Sequence, residues 1–320
     1  DDCAIALDRL AARAGLVFHE TAASGLDLER DTVQCADGRT LRFDALSIDT
    51  GPMPALEGLP GSEEHGLPVR PIERFIGSWP ALVDRIASHG RHFELLLLGA
   101  GAAGIELAFA IQHRAATEGW SRLGLTVVGA DDLPLPGAPL ATRRQAARLL
   151  RARGIAWKGR CRATGMDAHR LHVEGADALT FDACLVATGA AAPAWPAAAG
   201  LATDASGFIR VGRSLQSVSH PMVFAAGDVA AYADPRPKSG VYAVRAGPVL
   251  AKNLRAFCEG RPLQDWTPQS RALYLISTGD RHALATWDRW SWSGRWVWHW
   301  KDRIDRRFMR RFGALSPAAS

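Results

Sequence analysis

Cysteine is scarce in this sequence of 320 residues: the chain has five, scattered from residue 3 to residue 258. None of them forms a C-x-x-C or C-x4-C pair, which argues against a zinc site or a redox-active dithiol. The odd number and the wide spacing also argue against a disulfide scaffold and fit a reducing compartment. We therefore expect no metal site and no cysteine pair that relays electrons.

Long apolar runs and a strong charge imbalance are absent as well. No segment approaches the roughly 20 consecutive apolar residues of a transmembrane helix, and the first residues lack the basic start of a signal peptide. The composition, 48% hydrophobic and 22% charged with a net charge of +5, is typical of a globular protein. We predict a cytoplasmic protein without a nucleic-acid partner, because no RNA-binding motif accompanies the basic residues.

The order of predicted elements indicates an α/β fold. An apolar strand at 94–98 precedes a helix at 102–116, a strand at 124–128 and a helix at 141–153. A strand without polar interruption suits the centre of a parallel sheet that is covered on both faces. The alternation of strands and helices therefore predicts a doubly wound sheet.

The string LLLLGAGAAGIE contains the most informative motif, Gly99-x-Gly101-x-x-Gly104. The first glycine permits a tight turn, the second lets the backbone approach a pyrophosphate, and the third lets the helix pack on the strand. The free N–H groups of the helix N-terminus then face the phosphates. Because a strand and a helix flank the motif, it predicts dinucleotide binding; a glycine-rich helix–strand contact without ligand is the alternative.

The choice between NADH and NADPH stays open. A ribose-binding acid is expected at the end of the second strand, but LTVVGADD places Gly129 there and the acids Asp131 and Asp132 slightly later. Arg143 or Arg144 would suit a 2′-phosphate, although both also fit a solvated helix face.

A second apolar strand, in VFAAGDVA, runs into Gly227 and Asp228. A carboxylate at a strand end is well placed to accept a hydrogen bond from a ribityl or ribose hydroxyl, and Gly227 gives a ligand access. The alternative is an ordinary strand-ending turn.

Taken in order, these motifs resemble a known family. Two similar strand ends, Asp49-Thr50-Gly51 and Ala187-Thr188-Gly189, flank the glycine motif, and VFAAGD follows. This order resembles the FAD-dependent pyridine nucleotide–disulfide oxidoreductase superfamily, and within it the branch of type II NADH dehydrogenases and sulfide:quinone oxidoreductases. The strings LSIDTGPMP, LPVRPIERF, PKSGVYAVRAGPVLAKNL and GRWVWHWKDRIDRRFM look closer still to the oxidoreductase module fused ahead of selenide, water dikinase.

The resemblance implies two Rossmann-like domains and a small C-terminal β/helix region at 263–320. An NAD(P)H-binding domain of residues 76–202 would be inserted in a split FAD-binding domain of residues 1–75 and 203–262. In such proteins a GxGxxG for FAD comes first. Since the motif at 99–104 matches the second, the first FAD-binding unit is expected to be missing from this sequence.

The resemblance also implies roles for individual residues. Glu106 would lie beside the nicotinamide, and Lys238 would add positive charge near the reduced flavin. The alternatives are that Glu106 is an acid favoured by the dipole at a helix N-terminus and that Lys238 is a solvated loop lysine. The residues implied to bind FAD or NAD(P)H are Gly99, Gly101, Gly104, Thr50, Gly51, Thr188, Gly189, Gly227 and Asp228.

The implied activity is that of an FAD-dependent NAD(P)H oxidoreductase that passes hydride to flavin and electrons to a quinone or another small acceptor. Two alternatives stay open. One is a reductase accessory to selenium metabolism, and the other is a degenerate nucleotide-binding regulatory module without flavin chemistry.

Six of the eleven tryptophans lie near the C-terminus, in WDRWSWSGRWVWHW. Their alternation predicts a hairpin that turns at Ser293-Gly294, and a basic amphipathic helix is expected to follow. Tryptophan beside such a helix is typical of a membrane surface. We expect residues 287–312 to contact the inner face of the plasma membrane peripherally; a protein interface, such as a homodimer, is the alternative.

Overall fold

The computed structural model describes residues 5–313. Its first part is a small antiparallel sheet followed by two short strands. Strands β1, β2 and β3 pair in that order, and Gly38 makes the turn between β2 and β3 with φ +87°. The elements of this part are α1 (Leu7–Ala14), β1 (Ala23–Asp27), β2 (Thr32–Cys35), β3 (Thr40–Arg42), β4 (Leu46–Ile48) and β5 (Met53–Pro54).

The second part contains a five-stranded parallel sheet in the order β6-β13-β7-β8-β9 and a three-stranded antiparallel sheet, β10-β11-β12. Its elements are α2 (Ser62–His65), β6 (Leu67–Pro68), α3 (Ile72–Ser88), β7 (Phe93–Leu98), α4 (Ala102–Glu118), β8 (Leu123–Val128), α5 (Leu140–Ala152), β9 (Ala156–Lys158), β10 (Ala163–Met166), β11 (Arg170–Val173), β12 (Ala176–Thr180) and β13 (Ala183–Val186).

The central strand β7 is apolar on both faces because both are covered. Leu95 and Leu97 lie in the core formed with the helices, and Leu96 and Leu98 lie in the core on the opposite face. Burying one such side chain completely contributes about 1.5–3 kcal/mol. The uninterrupted leucine run therefore holds the strand at the sheet centre, with its carboxyl end at the glycine motif.

The third part returns to the first. Strand β16 pairs in parallel with β4, β17 pairs in parallel with β15, and β14 pairs with β5. Of these strands, β4, β15, β16 and β17 share a second core with α7. The elements are β14 (Ala190–Ala191), α6 (Ala194–Ala198), β15 (Ile209–Val211), β16 (Val223–Ala225), a 3-10 turn (Gly227–Val229), β17 (Ala230–Tyr232) and α7 (Gly240–Cys258).

The chain crosses between the two cores where β5 and β14 pair. Strand β6, although it precedes residue 76, lies in the five-stranded sheet. Trp195 and Leu201, which precede residue 203, pack in the core around β16. The predicted limits 76 and 202 therefore both come too late, since pairing across the sheets and not local pattern decides where the chain crosses.

The C-terminal part is a three-stranded antiparallel sheet followed by a helix: β18 (Leu273–Ser277), β19 (Ala283–Trp287), β20 (Trp290–Gly294) and α8 (Arg295–Gly313). Ile276 and Leu284 pack into the core of the five-stranded sheet. The predicted hairpin at Ser293-Gly294 is wrong, because the chain turns between β19 and β20 instead and enters a helix after Gly294. Among residues 5–313, no helix has the length and apolarity needed to cross a bilayer.

Candidate cofactor-binding site

The three glycines of the motif form the turn between β7 and α4. A Cβ on Gly99, which has φ +117°, would lie 2.2 Å from the carbonyl oxygen of Ala187, and a Cβ on Gly104 would lie 2.0 Å from that of Gly99. A Cβ on Gly101 would meet nothing within 4 Å. Packing therefore explains two of the glycines, whereas Gly101 is left to be explained by the approach of a ligand.

A crevice of about 310 Å³ lies at the carboxyl ends of β7, β8 and β13. This is where nucleotides bind in open α/β sheets. Gly99, Thr188 and Gly189 line it together, so the structure brings these predicted residues to one place. The Thr188 hydroxyl donates to the carbonyl oxygen of Ala55 at 2.9 Å, which ties the strand end to the crossover segment.

An acid does lie in this crevice, but not at the strand end. A Cβ on Gly129 would already lie 2.7 Å from the Trp157 ring, which leaves no room for a longer side chain. Asp131 lines the crevice instead, and Arg143 lies 3.5 Å from its carboxylate. Asp131 and Glu57 are the carboxylates that line the crevice, and neither Arg143 nor Arg144 lines it.

The second group of predicted residues follows the parallel pair β4 and β16. Because Ala225 pairs with Ile48, the segment Asp49-Thr50-Gly51 begins beside Gly227, which has φ +70°. Gly51 also has positive φ, +73°, and an added Cβ there would meet nothing within 4 Å. An added Cβ on Gly227 would lie 3.3 Å from the Ala243 Cβ. Two strand ends and two glycines of positive φ therefore border the same edge of the sheet.

Asp228 is half-buried at this edge. Burial raises the pKa of its carboxyl, and the charges of Arg70 and Lys238 and the backbone N–H of Ser239 act in the opposite direction. The neighbouring Gly227 N–H donates to the Tyr232 hydroxyl at 3.1 Å. The arrangement presents a carboxylate, flanked by positive charge, that can accept hydrogen bonds from a polyol.

Lys238 is partly buried and is not a solvated loop residue. Its Nζ donates to the carbonyl oxygen of Ala230 at 2.6 Å and lies 3.7 Å from the centre of the Phe208 ring. Burial lowers the pKa of its ammonium group, while Asp204 and Asp228 raise it.

A cavity of about 460 Å³ lies where the second, third and C-terminal parts of the chain meet. Ala102 and the loop 135–139 border it from the nucleotide side, Lys238 and Tyr242 from the start of α7, and Tyr274 from the C-terminal sheet. Tyr232 lies beside Gly227, so all three tyrosines of the chain are at or near this region. Sequence reasoning missed them; their rarity was the one signal available.

Glu106 does not line this cavity. Its Oε1 accepts a hydrogen bond from the backbone N–H of Ser277 at 2.7 Å and lies 3.7 Å from Lys301 Nζ on α8. Burial raises the pKa of the carboxyl, and the Lys301 charge lowers it. The structure thus places Glu106 in the contact between α4 and the C-terminal region, and its position beside the nicotinamide stays a prediction.

Comparison with known proteins gives matches at the level of family and fold. A family model described as pyridine nucleotide-disulphide oxidoreductase matches residues 8–247. Demethylphylloquinone reductase NdbB of Synechocystis is 26% identical over 265 residues, which are 79% of this chain and 65% of that protein. The chain therefore spans less than two thirds of that relative.

Two solved structures illustrate the likeness in fold. The sulfide:quinone oxidoreductase from Aquifex aeolicus superposes with a TM-score of 0.77 at 18% identity, covering 97% of this chain and 78% of its own. A ferredoxin reductase from Rhodopseudomonas palustris gives a TM-score of 0.70 at 19% identity. The superposition covers 87% of this chain and 66% of the reductase. The predicted α/β fold with Rossmann-like domains is confirmed.

Proposed function

Since the chain belongs to the pyridine nucleotide-disulphide oxidoreductase family, we propose that it passes hydride from NAD(P)H to FAD and electrons onward to a quinone-like acceptor. Family membership supports the predicted oxidoreductase class and, at the level of the family, the FAD and NAD(P)H cofactors. The acceptor and the roles of individual residues are part of the proposal.

The observation that carries the proposal is the cavity of about 460 Å³ between the nucleotide crevice and the start of α7. The N-terminus of α4 faces it from one side through Ala102, and α7 begins at Gly240 on the other side. Each helix N-terminus favours negative charge. A cavity with two such ends and Lys238 is suited to the place where the flavin and nicotinamide rings of the two cofactors must meet.

The residues at the edge of β4 and β16 fit the polyol part of FAD. Asp228 offers a carboxylate to hydroxyl groups, and Gly227 beside it brings no side chain between the backbone and a ligand. Lys238 and the N-terminus of α7 would favour the negative charge of reduced flavin. When bound, FAD supplies the hydride acceptance and the electron transfer, and these residues supply binding and electrostatics.

The described cysteines support direct transfer from flavin to a small acceptor. Cys184 is buried in β13, and burial raises the pKa of its thiol to about 12, so it stays protonated and unreactive. Cys161 lines the nucleotide crevice and not the cavity beside Lys238. A quinone is the acceptor class we favour, because the demethylphylloquinone reductase and the sulfide:quinone oxidoreductase are named for quinones.

We further propose that the C-terminal part contacts a membrane surface, where quinones reside. Trp290 is 56% exposed and Trp296 54% exposed, and α8 adds a run of arginines. Exposed indoles beside a basic amphipathic helix favour the lipid–water interface. A homodimer or another protein interface on this face is the alternative.

A nucleotide-binding regulatory module without flavin chemistry is the second candidate. Such a module would bind NAD(P)H at the glycine turn of residues 99–104 and would lack the redox step. The similarity to the module fused to selenide, water dikinase is carried by the four sequence strings alone. A role in selenium metabolism depends on that similarity.

The visible absorption spectrum tests the proposal directly. The purified protein is incubated with FAD, freed of excess cofactor, and titrated with NADH without oxygen; the variant Asp228→Asn serves as the control for specific flavin retention. A flavin spectrum that NADH bleaches, and that the variant loses, supports the oxidoreductase. A colourless protein that still binds NADH overturns it and favours the regulatory module.

A further inference from the structure

A cleft outside the cofactor site lies between α5 and β20. Its volume is about 330 Å³. Arg144 and Arg148 form one wall, and Ser291, Trp292 and Ser293 form the other. Residues four apart on a helix lie on the same face, so the two guanidinium groups point into the same space.

The two arginines differ from their neighbours in lacking partners. Arg143 lies 3.5 Å from Asp131, and Arg153 at the end of the helix lies 2.9 Å from Asp280. Within residues 5–313, neither Arg144 nor Arg148 forms an ion pair or a side-chain hydrogen bond. Helix α5 contains no acidic residue, so the cleft has unbalanced positive charge.

The cleft is continuous with the tryptophan-rich face. The ring of Trp292, which lines the cleft, stacks on Trp290 with centroids 6.5 Å apart. Trp287 and Trp290 are 41% and 56% exposed. Indole rings settle at the level of lipid headgroups, where phosphate groups are also found.

We propose that this cleft binds the phosphate group of an anionic phospholipid, an inference that rests on the membrane contact proposed above. The planar guanidinium groups of Arg144 and Arg148 match the geometry of phosphate oxygens, and the hydroxyls of Ser291 and Ser293 add donors. The cleft then makes the membrane contact selective for anionic lipid. Without the cleft, the tryptophans would bind any lipid surface.

Vesicle co-sedimentation tests the site in the whole protein. Binding is measured to vesicles of phosphatidylcholine alone and to vesicles that also contain phosphatidylglycerol. The test variant is R144Q/R148Q. The control is R151Q/R210Q, which removes the same charge from two exposed arginines that do not line the cleft. Far-ultraviolet circular dichroism and NADH binding verify that both variants are folded.

We expect R144Q/R148Q to lose about 25-fold in affinity for phosphatidylglycerol vesicles, since each arginine near an anionic surface contributes about fivefold, and we expect the control to lose clearly less. Binding to phosphatidylcholine alone should stay equal in all three proteins. Equal losses in both variants would overturn the specific site and leave the membrane contact standing. If the wild-type protein binds neither vesicle type, both the site and the membrane contact are overturned, and the proposed redox chemistry is unaffected. Tight binding of inorganic phosphate in solution, lost in R144Q/R148Q, would overturn the assignment to lipid.

Discussion

The glycine turn between β7 and α4 allows stability and nucleotide binding to be separated by two substitutions. In Gly104→Ala the new Cβ would lie 2.0 Å from the Gly99 carbonyl oxygen and 3.0 Å from Leu97 Cδ2. Such overpacking costs about 1–3 kcal/mol, and replacing a helical glycine by alanine returns up to about 1 kcal/mol. We therefore expect a net loss of about 1–2 kcal/mol in the free energy of unfolding.

Gly101→Ala should behave in the opposite way. Its φ of −69° suits alanine, and the new Cβ would meet nothing within 4 Å. A weaker helix cap costs about 0.5–1 kcal/mol, and the lower entropy of the unfolded chain offsets about the same amount. Stability should stay unchanged, while the affinity for NADH falls about tenfold or more because the Cβ keeps the pyrophosphate from the backbone.

Urea unfolding followed by tryptophan fluorescence measures the free energy of unfolding, and fluorescence quenching by NADH measures the affinity for NADH. Gly90→Ala is the matched control, since its added Cβ would also meet nothing within 4 Å and lies away from the crevice. Wild-type affinity in Gly101→Ala would refute the assignment of this turn to the pyrophosphate. Wild-type stability in Gly104→Ala would refute the tight helix–strand contact.

Three further changes test other parts of the site. Tyr232→Phe removes the acceptor for a backbone N–H at 3.1 Å and should cost about 1 kcal/mol in urea unfolding while weakening FAD retention in gel filtration. Burial raises the pKa of the Glu106 carboxyl. The stability that comes from its protonation is therefore present below the unfolded pKa and is lost as the pH rises through the folded pKa. Glu106→Gln cannot titrate, so its melting temperature should fall less over this pH range. The double change W296S/W300S, at side chains 54% and 37% exposed, should lower vesicle binding severalfold at an unchanged melting temperature, and unchanged vesicle binding would contradict the membrane contact.

The nucleotide-binding half was predictable because its signals are local. The leucine run predicted a strand at 94–98 and the structure has Phe93–Leu98; the helix predicted at 102–116 is Ala102–Glu118. Apolar runs and glycine turns act within a few residues, so pattern alone locates such elements. The crossing between the two cores depends on which strands pair across the molecule, and no local pattern carries that information.

The tryptophans of the tail misled the prediction because a spacing of two residues has more than one structural meaning. Trp290 and Trp292 do share a face of β20, as the alternation predicted. Beyond Gly294 the same spacing continues on a helix, where Trp296 stacks on Trp300 with centroids 6.3 Å apart. The four-residue spacing and the charged residues that follow favour the helix, and they outweigh the alternation.

Glu106 shows what tertiary structure adds to a motif. The motif places a carboxylate early in the nucleotide-binding helix, but its partner Ser277 is 171 residues away in the sequence. Ser277 directly follows Ile276, which lines the cofactor cavity, and Lys301 holds the same carboxylate from α8. One partly buried charge therefore joins the helix of the glycine turn, a wall of the cavity and the helix proposed to meet the membrane. The C-terminal part thus forms a wall of the cavity proposed to hold the cofactors, and losing it should impair nucleotide binding, measured by NADH fluorescence quenching, as well as the proposed membrane contact.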